Sequence, residues 1–450
     1  MQAGLLSTYR EPVKNRNAFA WGVSIALFAF YFLLYLPDYG YFPDYLNLFL
    51  RDTLGFQKFN KWNFYGLLYS AGMLVGGWFM LQKHGNSRYH RLRTYTLVSV
   101  QILFGFSLPF VLKLLNQPEL YLSYLWPLSY DKLFPDTLAQ LPVYVALYFV
   151  VTSLVVFPLL AFYKGKRFYC SWICGCGGLA ETFGDPWRHL SSKSDRSWKI
   201  EQVTIYSVLA LVLLTTGLMI ADASSKAALV GRAGTEEGAR VELGLSLAAH
   251  AEAIRGASAD TLGASVAAIE AEVAAANPPE WLAEKLDGVR AEAAAGDVPG
   301  TADELKNMAY AAMPVTPISG LAHSMRGFYA FFIGALFSGA AGVGLYPLMG
   351  TRVWCRFGCP MAAMLGFFQK FGRFRITVKK DMCISCGNCS TYCEMGIDVR
   401  QYAMGNLDIK RASCVGCGMC AHVCPRGVLK LETRPDTGPG GAVQVWTLDL

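Results

Sequence analysis

Charged side chains are scarce in this sequence. Asp, Glu, Lys and Arg make up 16% of the 450 residues, whereas apolar residue types make up 53%. Ordinary soluble domains carry about 25% charged residues, and the mean hydropathy of this chain is +0.30. The shortage of charge therefore excludes an ordinary soluble chain and indicates that much of the protein lies in lipid.

Histidine is also rare, and the usual signatures of haem are missing. The six His residues all fall outside the apolar runs described below, and no C-x-x-C-H motif occurs. A transmembrane cytochrome b needs His ligands within its spans, and a c-type haem needs that motif, so no haem is expected. No phosphate-binding loop and no nucleophile triad stands out either, and the sequence identifies no catalytic residue.

Six apolar runs are long enough, or nearly so, to cross a bilayer as helices. None of them contains Asp, Glu, Lys or Arg, and Tyr and Trp crowd their ends, as in interfacial belts. The sequence therefore predicts a mainly α-helical membrane protein with six transmembrane helices. The predicted spans are residues 18–36, 64–81, 95–112, 143–163, 203–220 and 328–349.

Basic residues cluster beside these runs. Lys and Arg are concentrated before span one and after spans two, four and six. The positive-inside rule then places both termini in the cytoplasm, in a multi-pass protein of the inner (cytoplasmic) membrane that contacts lipid. Because the net charge of +7 is distributed in this way, no nucleic-acid partner is expected.

Residues 222–327 interrupt the apolar pattern and are predicted to form an extracytoplasmic helical insert. Between 222 and 312 there are 15 acidic and 7 basic residues, with apolar residues at helical spacing. Two or more amphipathic helices are expected, with a break at Asn277-Pro278-Pro279. One interpretation is a solvated cap over the bundle. The other is an acidic docking surface for a basic extracytoplasmic electron carrier.

Thirteen cysteines stand out in this chain. No secretory signal is recognised, so we expect metal ligands in a reducing compartment rather than disulfides. Eight of them form the run C-x-x-C-x-x-C-x-x-x-C twice. In such runs three thiolates hold one [4Fe–4S] cluster and the fourth ligates the other, whereas zinc sites use two short pairs. The predicted ligands are Cys383, Cys386, Cys389 and Cys424 for one cluster, and Cys414, Cys417, Cys420 and Cys393 for the second.

Two further cysteine pairs follow spans four and six. Each pair is C-x-x-x-C, just past the predicted cytoplasmic end of a helix: Cys170 with Cys174, and Cys355 with Cys359. Together the pairs could supply four thiolates to a third iron–sulfur or other metal centre. Alternatively, they are separate free thiols or a redox dithiol. Cys176 is either a spare thiol or a replacement for Cys174.

The arrangement resembles the polyferredoxin membrane proteins of the NapH/NosR type, with CcoG as a more distant relative. The resemblance covers residues 95–220 and 328–432, and is most specific at W-C-R-F-G-C-P (354–360) and at the eight tail cysteines. Two positions depart from the family pattern. Gly175 follows Cys174 where the motif has Pro, and Glu394 follows Cys393 where bacterial ferredoxins usually have Pro. The flavin domain of NosR-type proteins is not recognised.

The resemblance implies electron transfer between the membrane quinone pool and a partner oxidoreductase, as one subunit of a larger respiratory complex. Quinone or quinol and partner redox subunits are thus the implied partners. The alternative is a cluster-bearing assembly or maturation factor that reduces a metal or a thiol, as CcoG-like proteins are thought to do. A third possibility is a scaffold in which the clusters are structural.

The sequence divides into five predicted regions. A two-helix membrane region occupies 1–94, and helices with the first cysteine pair occupy 95–221. The insert follows at 222–327, and 328–370 holds the last span with the second pair. Residues 371–450 form a ferredoxin-like α+β domain with two clusters and a tail, predicted to be cytoplasmic.

The ligand assignment in the tail predicts the effect of one substitution. Cys417→Ala should remove the electron paramagnetic resonance signal of one cluster, because the second cluster loses a thiolate, while the spans remain inserted. An iron content equal to that of the unaltered protein would contradict the assignment.

Overall fold

The computed structural model describes residues 18–35, 61–115, 120–139, 141–230, 235–255, 259–275, 280–294, 298–314 and 316–433. The predicted break at Asn277-Pro278-Pro279 and most of the basic N-terminal segment lie outside these residues. The described part is mostly helical, with one small sheet near the C-terminal end.

Within the described part, six helices are long and apolar enough to cross a membrane, which confirms the six predicted spans and indicates a multi-pass membrane protein. Several helices extend beyond their apolar runs. Span three begins seven residues before residue 95 and span six begins ten residues before 328, so that polar residues continue both helices. The six spans are Ala18–Tyr35, Trp62–His84, Arg88–Leu112, Val143–Lys164, Asp195–Leu229 and Ile318–Gly344.

The extended helices correct the expectation that no His lies within a span. Span two ends at His84, and His90 lies in the first turn of span three. The rings of His84, His90 and His422 pack together, with centroids 4.8–6.1 Å apart. His323 lies in span six.

Three spans contain π-helical stretches, at Gln101–Ser107, Thr152–Val156 and Tyr329–Ala341. The wider turn of a π-helix commonly marks a functional site. The segments that make up the spans are Ala18–Tyr35, Lys61–His84, Arg88–Val100, Gln101–Ser107, Leu108–Leu114, Val143–Val151, Thr152–Val156, Phe157–Lys164, Asp195–Val230, Pro317–Phe328, Tyr329–Ala341 and Gly342–Gly344.

Short helices after spans four and six carry the cysteine pairs. After span four come Arg167–Cys170, Gly175–Glu181 and the 3-10 helix Asp185–Leu190; after span six come Tyr346–Met349, Val353–Phe357 and Pro360–Phe371. Helix Pro360–Phe371 packs against Phe157–Lys164 at the end of span four. Pro135–Ala139 is a further short helix, between spans three and four.

The acidic insert contains the predicted amphipathic helices. Four are described: Glu236–Arg255, Ala259–Ala275, Glu280–Ala294 and Val298–Ala312. Their apolar faces form a separate core around side chains such as Leu247, Ile269 and Leu305. Where this insert meets the bundle, Asp222 of span five accepts a hydrogen bond from Lys226 Nζ at 2.8 Å.

The C-terminal domain is built on a two-stranded antiparallel sheet. Strand β1 (Phe374–Val378) pairs with β2 (Leu429–Thr433), and three short helices, Asn388–Thr391, Val399–Met404 and Met419–His422, lie between them. The two cysteine runs repeat one local geometry. Gly387 and Gly418 each precede a short helix with φ of 80° and 81°. A side chain would strain this backbone conformation, so a glycine follows Cys386 and Cys417.

The C-terminal domain and the insert lie at opposite ends of span five. Near its beginning, Glu201 accepts hydrogen bonds from Arg356 Nε at 3.0 Å and from Ser413 Oγ of the C-terminal domain. Near its other end, Asp222 contacts the segment that leads out of the insert, through Thr316 Oγ1 at 3.3 Å. The bundle therefore separates the cysteine-rich domain from the acidic insert.

Gln369 joins the bundle to the C-terminal domain, and its hydrogen bonds predict that a substitution there destabilises the protein. Its Oε1 accepts from Lys166 N–H at 2.7 Å, and its Nε2 donates to the carbonyls of Arg411 (2.9 Å) and Cys414 (2.8 Å). Gln369→Met should leave these buried groups unpaired, at a cost of about 1–3 kcal/mol. Trypsin should then cleave the C-terminal domain faster, while the exposed Gln401→Met control should leave the rate unchanged. Equal rates for the two variants would contradict this role.

Candidate metal centres

The first set of tail cysteines surrounds one small cavity. Cys383, Cys386, Cys389 and Cys424 all line it. Cys386 is exposed and Cys389 is buried, so one edge of the set reaches the protein surface. The structure thus brings together the three thiols of the first run and the last thiol of the second, and their role as ligands stays a prediction.

The second set lies deeper and adjoins the first. Cys420 interacts electrostatically with Cys417, Cys414 and Cys393, and also with Cys389 of the first set. Burial raises the pKa of Cys414 to about 11. Thiolates in this position therefore need compensating positive charge, which bound metal ions provide.

Backbone amides support the fourth cysteine of each run in the same way. Ile397 N–H donates to Cys393 Sγ and Val428 N–H donates to Cys424 Sγ, both at 3.4 Å. Such hydrogen bonds favour the thiolate form and tune the reduction potential of an iron–sulfur cluster.

The two remaining cysteine pairs converge inside the bundle. Cys170, Cys174, Cys355 and Cys359 are all buried, and Cys359 interacts electrostatically with the other three. Burial raises the pKa of Cys170 to about 12. Four thiols from two distant segments thus meet at one place, as a shared metal centre requires.

Cys174 fits this set better than Cys176. A hydrogen bond from the Cys176 thiol is the main cause that lowers the pKa of Cys174 to about 7. Cys176 also interacts electrostatically with Cys355 and Cys359, but it is only half-buried. Its deeper burial and its lowered pKa favour Cys174 as the fourth thiol, with Cys176 as its hydrogen-bond donor.

These thiols lie within the bundle and not beyond its end. After each span the chain folds back, so that Tyr69 of span two donates a hydrogen bond to the Gly175 carbonyl at 3.0 Å. Gln101 of span three donates to the Ile173 carbonyl. The expectation that the pairs lie just past the ends of spans four and six is correct along the sequence but not in space, and the cytoplasmic side of these ends stays a prediction.

Crowding explains the glycine that replaces proline in the first motif. A Cβ on Gly175 would lie 2.7 Å from Gln101 Oε1 and 2.9 Å from the Tyr69 hydroxyl, and would also meet the Tyr124 hydroxyl. A proline ring has no room here. At the equivalent position of the second motif, Pro360 begins the helix Pro360–Phe371.

A buried ion-pair network explains Glu394, the second departure from the family pattern. The Glu394 carboxylate pairs with Arg188 at 3.1 Å and with Arg352 at 3.0 Å. Glu181 pairs with the same two arginines, at 3.0 and 2.7 Å, and with Arg93 at 2.6 Å. The three arginines are 0–1% exposed, although the topology prediction counted them as loop charges.

The network adjoins the second tail set. Carboxylate oxygens of Glu181 and Glu394 and the Cys417 sulfur lie within 4.8 Å of one another, and Arg93 donates a hydrogen bond to the Cys417 carbonyl. Burial opposes ionisation of Glu181, but the arginines hold its pKa well below the usual value. Burial raises the pKa of Glu394, which the arginines offset only in part.

Sequence reasoning missed this network because its members come from four separate segments: span three, the segments that carry the two cysteine pairs, and the tail. One feature of the sequence could have indicated the network. Glu394 replaces a proline inside a cysteine run, and a carboxylate so close to predicted thiolates needs a cation beside it.

Each set offers four thiols, and this donor chemistry fits a [4Fe–4S] cluster. When bound, such clusters supply one-electron transfer. Cys383, Cys386, Cys389 and Cys424 would hold one, Cys414, Cys417, Cys420 and Cys393 a second, and Cys170, Cys174, Cys355 and Cys359 a third.

Comparisons with known families agree with this chemistry. The family model described as a 4Fe-4S dicluster domain matches residues 382–429. A second model, described as a 4Fe-4S binding domain, matches twice, at residues 146–197 and 331–379. These matches support an iron–sulfur protein with an electron-transfer role. Each match of the second model contains one of the bundle pairs. No curated protein and no solved structure is detectably similar to the chain.

The ion-pair network predicts that the usual ferredoxin residue is harmful at position 394. Glu394→Pro should leave Arg188 and Arg352 without that carboxylate, and breaking a buried pair in this way costs about 3–5 kcal/mol. Thermal unfolding should occur at a lower temperature and the iron content should fall. Pro425→Ala, at the matching position of the second run, should have a much smaller effect. Equal losses in the two variants would contradict the role of the network.

Proposed function

We propose that the protein relays electrons between membrane quinone and a partner oxidoreductase, as the resemblance to NapH/NosR-type proteins implies. The observation that carries this proposal is the position of Arg352. Its guanidinium donates to Cys355 Sγ at 3.6 Å and to the Cys170 carbonyl at 3.4 Å. It also pairs with Glu394, which is adjacent to Cys393 of the second tail set. One side chain thus contacts both the bundle thiols and the tail domain.

The three thiol sets then form a series. The bundle set adjoins the second tail set through Arg352 and Glu394, and Cys420 adjoins the first tail set through Cys389. The first set reaches the surface at Cys386. Electrons would therefore move between the bundle interior and an exposed edge, where a partner redox subunit docks.

We also propose the inner membrane as the location, with both termini cytoplasmic. The C-terminal domain packs on the basic ends of spans two to four. For example, the Tyr89 hydroxyl donates to the Gly416 carbonyl at 2.8 Å, and Lys193 Nζ donates to the Thr391 carbonyl at 3.4 Å. The acidic insert at the opposite end would then face outward and offer a docking surface to a basic electron carrier.

The alternative, an assembly factor that reduces a metal or thiol, is supported less well. Such a factor needs thiols that its substrate reaches, yet both bundle pairs are buried. Quinol oxidation by the purified protein would favour the relay. Reduction of a metal ion, with loss of the metal centre of an oxidase on deletion, would favour the assembly factor.

The third thiol set provides the test. With three clusters we expect about twelve iron atoms per chain, and Cys355→Ser should reduce this to about eight. Quinol should then no longer reduce the tail clusters. Cys176→Ser, which alters a thiol outside the preferred set, should retain about twelve. An unaltered protein with about eight iron atoms would refute the third cluster.

A further inference from the structure

A cavity of about 340 Å³ lies beside the bundle thiols. Cys176 and Cys355 both line it, so it adjoins the proposed third centre directly. Its walls come from spans one, two, three and six and from the segment between spans three and four. Small-molecule sites in proteins measure about 300–1,000 Å³, and this cavity falls within that range.

The cavity wall is aromatic and carries hydroxyl groups. Tyr31, Tyr65, Tyr69 and Tyr124 are among the lining residues. The hydroxyls of Tyr31 and Tyr65 lie 3.3 Å apart. Among the described lining residues Lys132 is the one with a cationic side chain, and none is acidic. The wall therefore suits a neutral, flat ring with oxygen substituents and not a phosphorylated or strongly charged ligand.

Two buried polar groups of the lining residues are left without a hydrogen-bond partner. Thr351 Oγ1 and Trp354 Nε1 have none among the described residues, although these residues are only 1% and 5% exposed. Buried polar atoms are normally paired, so each unpaired one calls for an explanation. Both residues line the cavity, so a small rotation of each side chain would turn its donor toward a ligand with carbonyl oxygens.

We propose that this cavity binds the headgroup of a membrane quinone; this inference rests on the proposed function. A p-quinone has a flat ring for the aromatic wall and two carbonyl oxygens for donors such as Thr351 Oγ1 and Trp354 Nε1. Gly175 contributes to this site because it leaves room for the Tyr69 and Tyr124 hydroxyls beside Cys174 and Cys176.

The redox balance of this site is simple. A bound quinol loses two electrons and two protons and leaves as the quinone. An iron–sulfur cluster held by the bundle thiols, which the cavity adjoins at Cys355 and Cys176, would supply one-electron transfer and would pass each electron in turn to the tail sets. Hydroxyl groups of the wall, such as the hydrogen-bonded Tyr31 and Tyr65 pair, would relay each proton to water by giving up one proton as they accept another. In the reverse direction the same groups return them.

Binding of decylubiquinone and of menadione to the purified full-length protein in nanodiscs tests the proposal. Thr351→Val and Tyr124→Phe should each raise the dissociation constant about five- to tenfold, because each removes a single hydroxyl. The rate at which decylubiquinol or menadiol reduces the clusters should fall in parallel. Tyr144→Phe, on a side chain that is 72% exposed on span four, should change neither. Equal iron content in all variants shows that the centres are intact.

The outcomes separate the two proposals. Binding of either quinone by the unaltered protein, with weaker binding in both cavity variants, supports the cavity as the site. Normal binding in both variants overturns the cavity but leaves the quinone function standing. An unaltered protein that binds neither quinone and accepts electrons from neither quinol overturns the proposed function, and the cavity proposal with it.

Discussion

The pairing of Glu181 and Glu394 with three buried arginines is the interaction on which the arrangement of this protein depends. Buried charges are stable only when they are paired, and here the partners come from separate parts of the chain. Arg93 belongs to span three, Arg188 and Arg352 to the segments that carry the two cysteine pairs, and Glu394 to the tail. If any of these elements moved away, at least one buried ion pair would break. The network therefore fixes the C-terminal domain against the bundle, and with it the spacing of the thiol sets.

The same network sets the electrostatics around the thiol sets. Thiolate-ligated clusters carry negative charge, and their potentials respond to nearby charge and hydrogen bonds. Arg352 donates to Cys355 Sγ, while Glu394 lies next to Cys393. Asp185 also pairs with Arg188 at 3.1 Å and with Lys83 at 2.7 Å, so the cluster holds four cations against three carboxylates. The region is therefore positive even if every carboxylate is ionised, and more so because burial raises the pKa of Glu394. Added electrons would thus be stabilised at the junction between bundle and tail.

The sequence was sufficient wherever a feature repeats along the chain. The spans follow from uninterrupted apolar runs, the insert helices from apolar spacing, and the grouping of tail thiols from the doubled run at 383–424. It was insufficient where separate segments meet. In the sequence, Arg188 counts only as a basic loop residue that indicates topology. The structure shows that it pairs with Glu394 of the tail. Likewise, the return of Cys174 into the bundle depends on contacts with Tyr69 and Gln101, which no local pattern records.

The two departures from the family pattern mark the two sides of the bundle centre. Gly175 opens space on the side where the Tyr69, Gln101 and Tyr124 side chains crowd against the first motif, next to the aromatic cavity. Glu394 supplies the carboxylate on the side where Arg352 leads to the tail thiols. A proline ring at position 175 would clash with these side chains, and a proline at position 394 would remove the carboxylate that pairs with Arg188 and Arg352. Gly175 and Glu394, the two residues that weaken the motif match, are therefore the ones that fit the bundle thiols to the side chains around them. A deviation from a ligand motif is informative where the replacing residue has a buried partner.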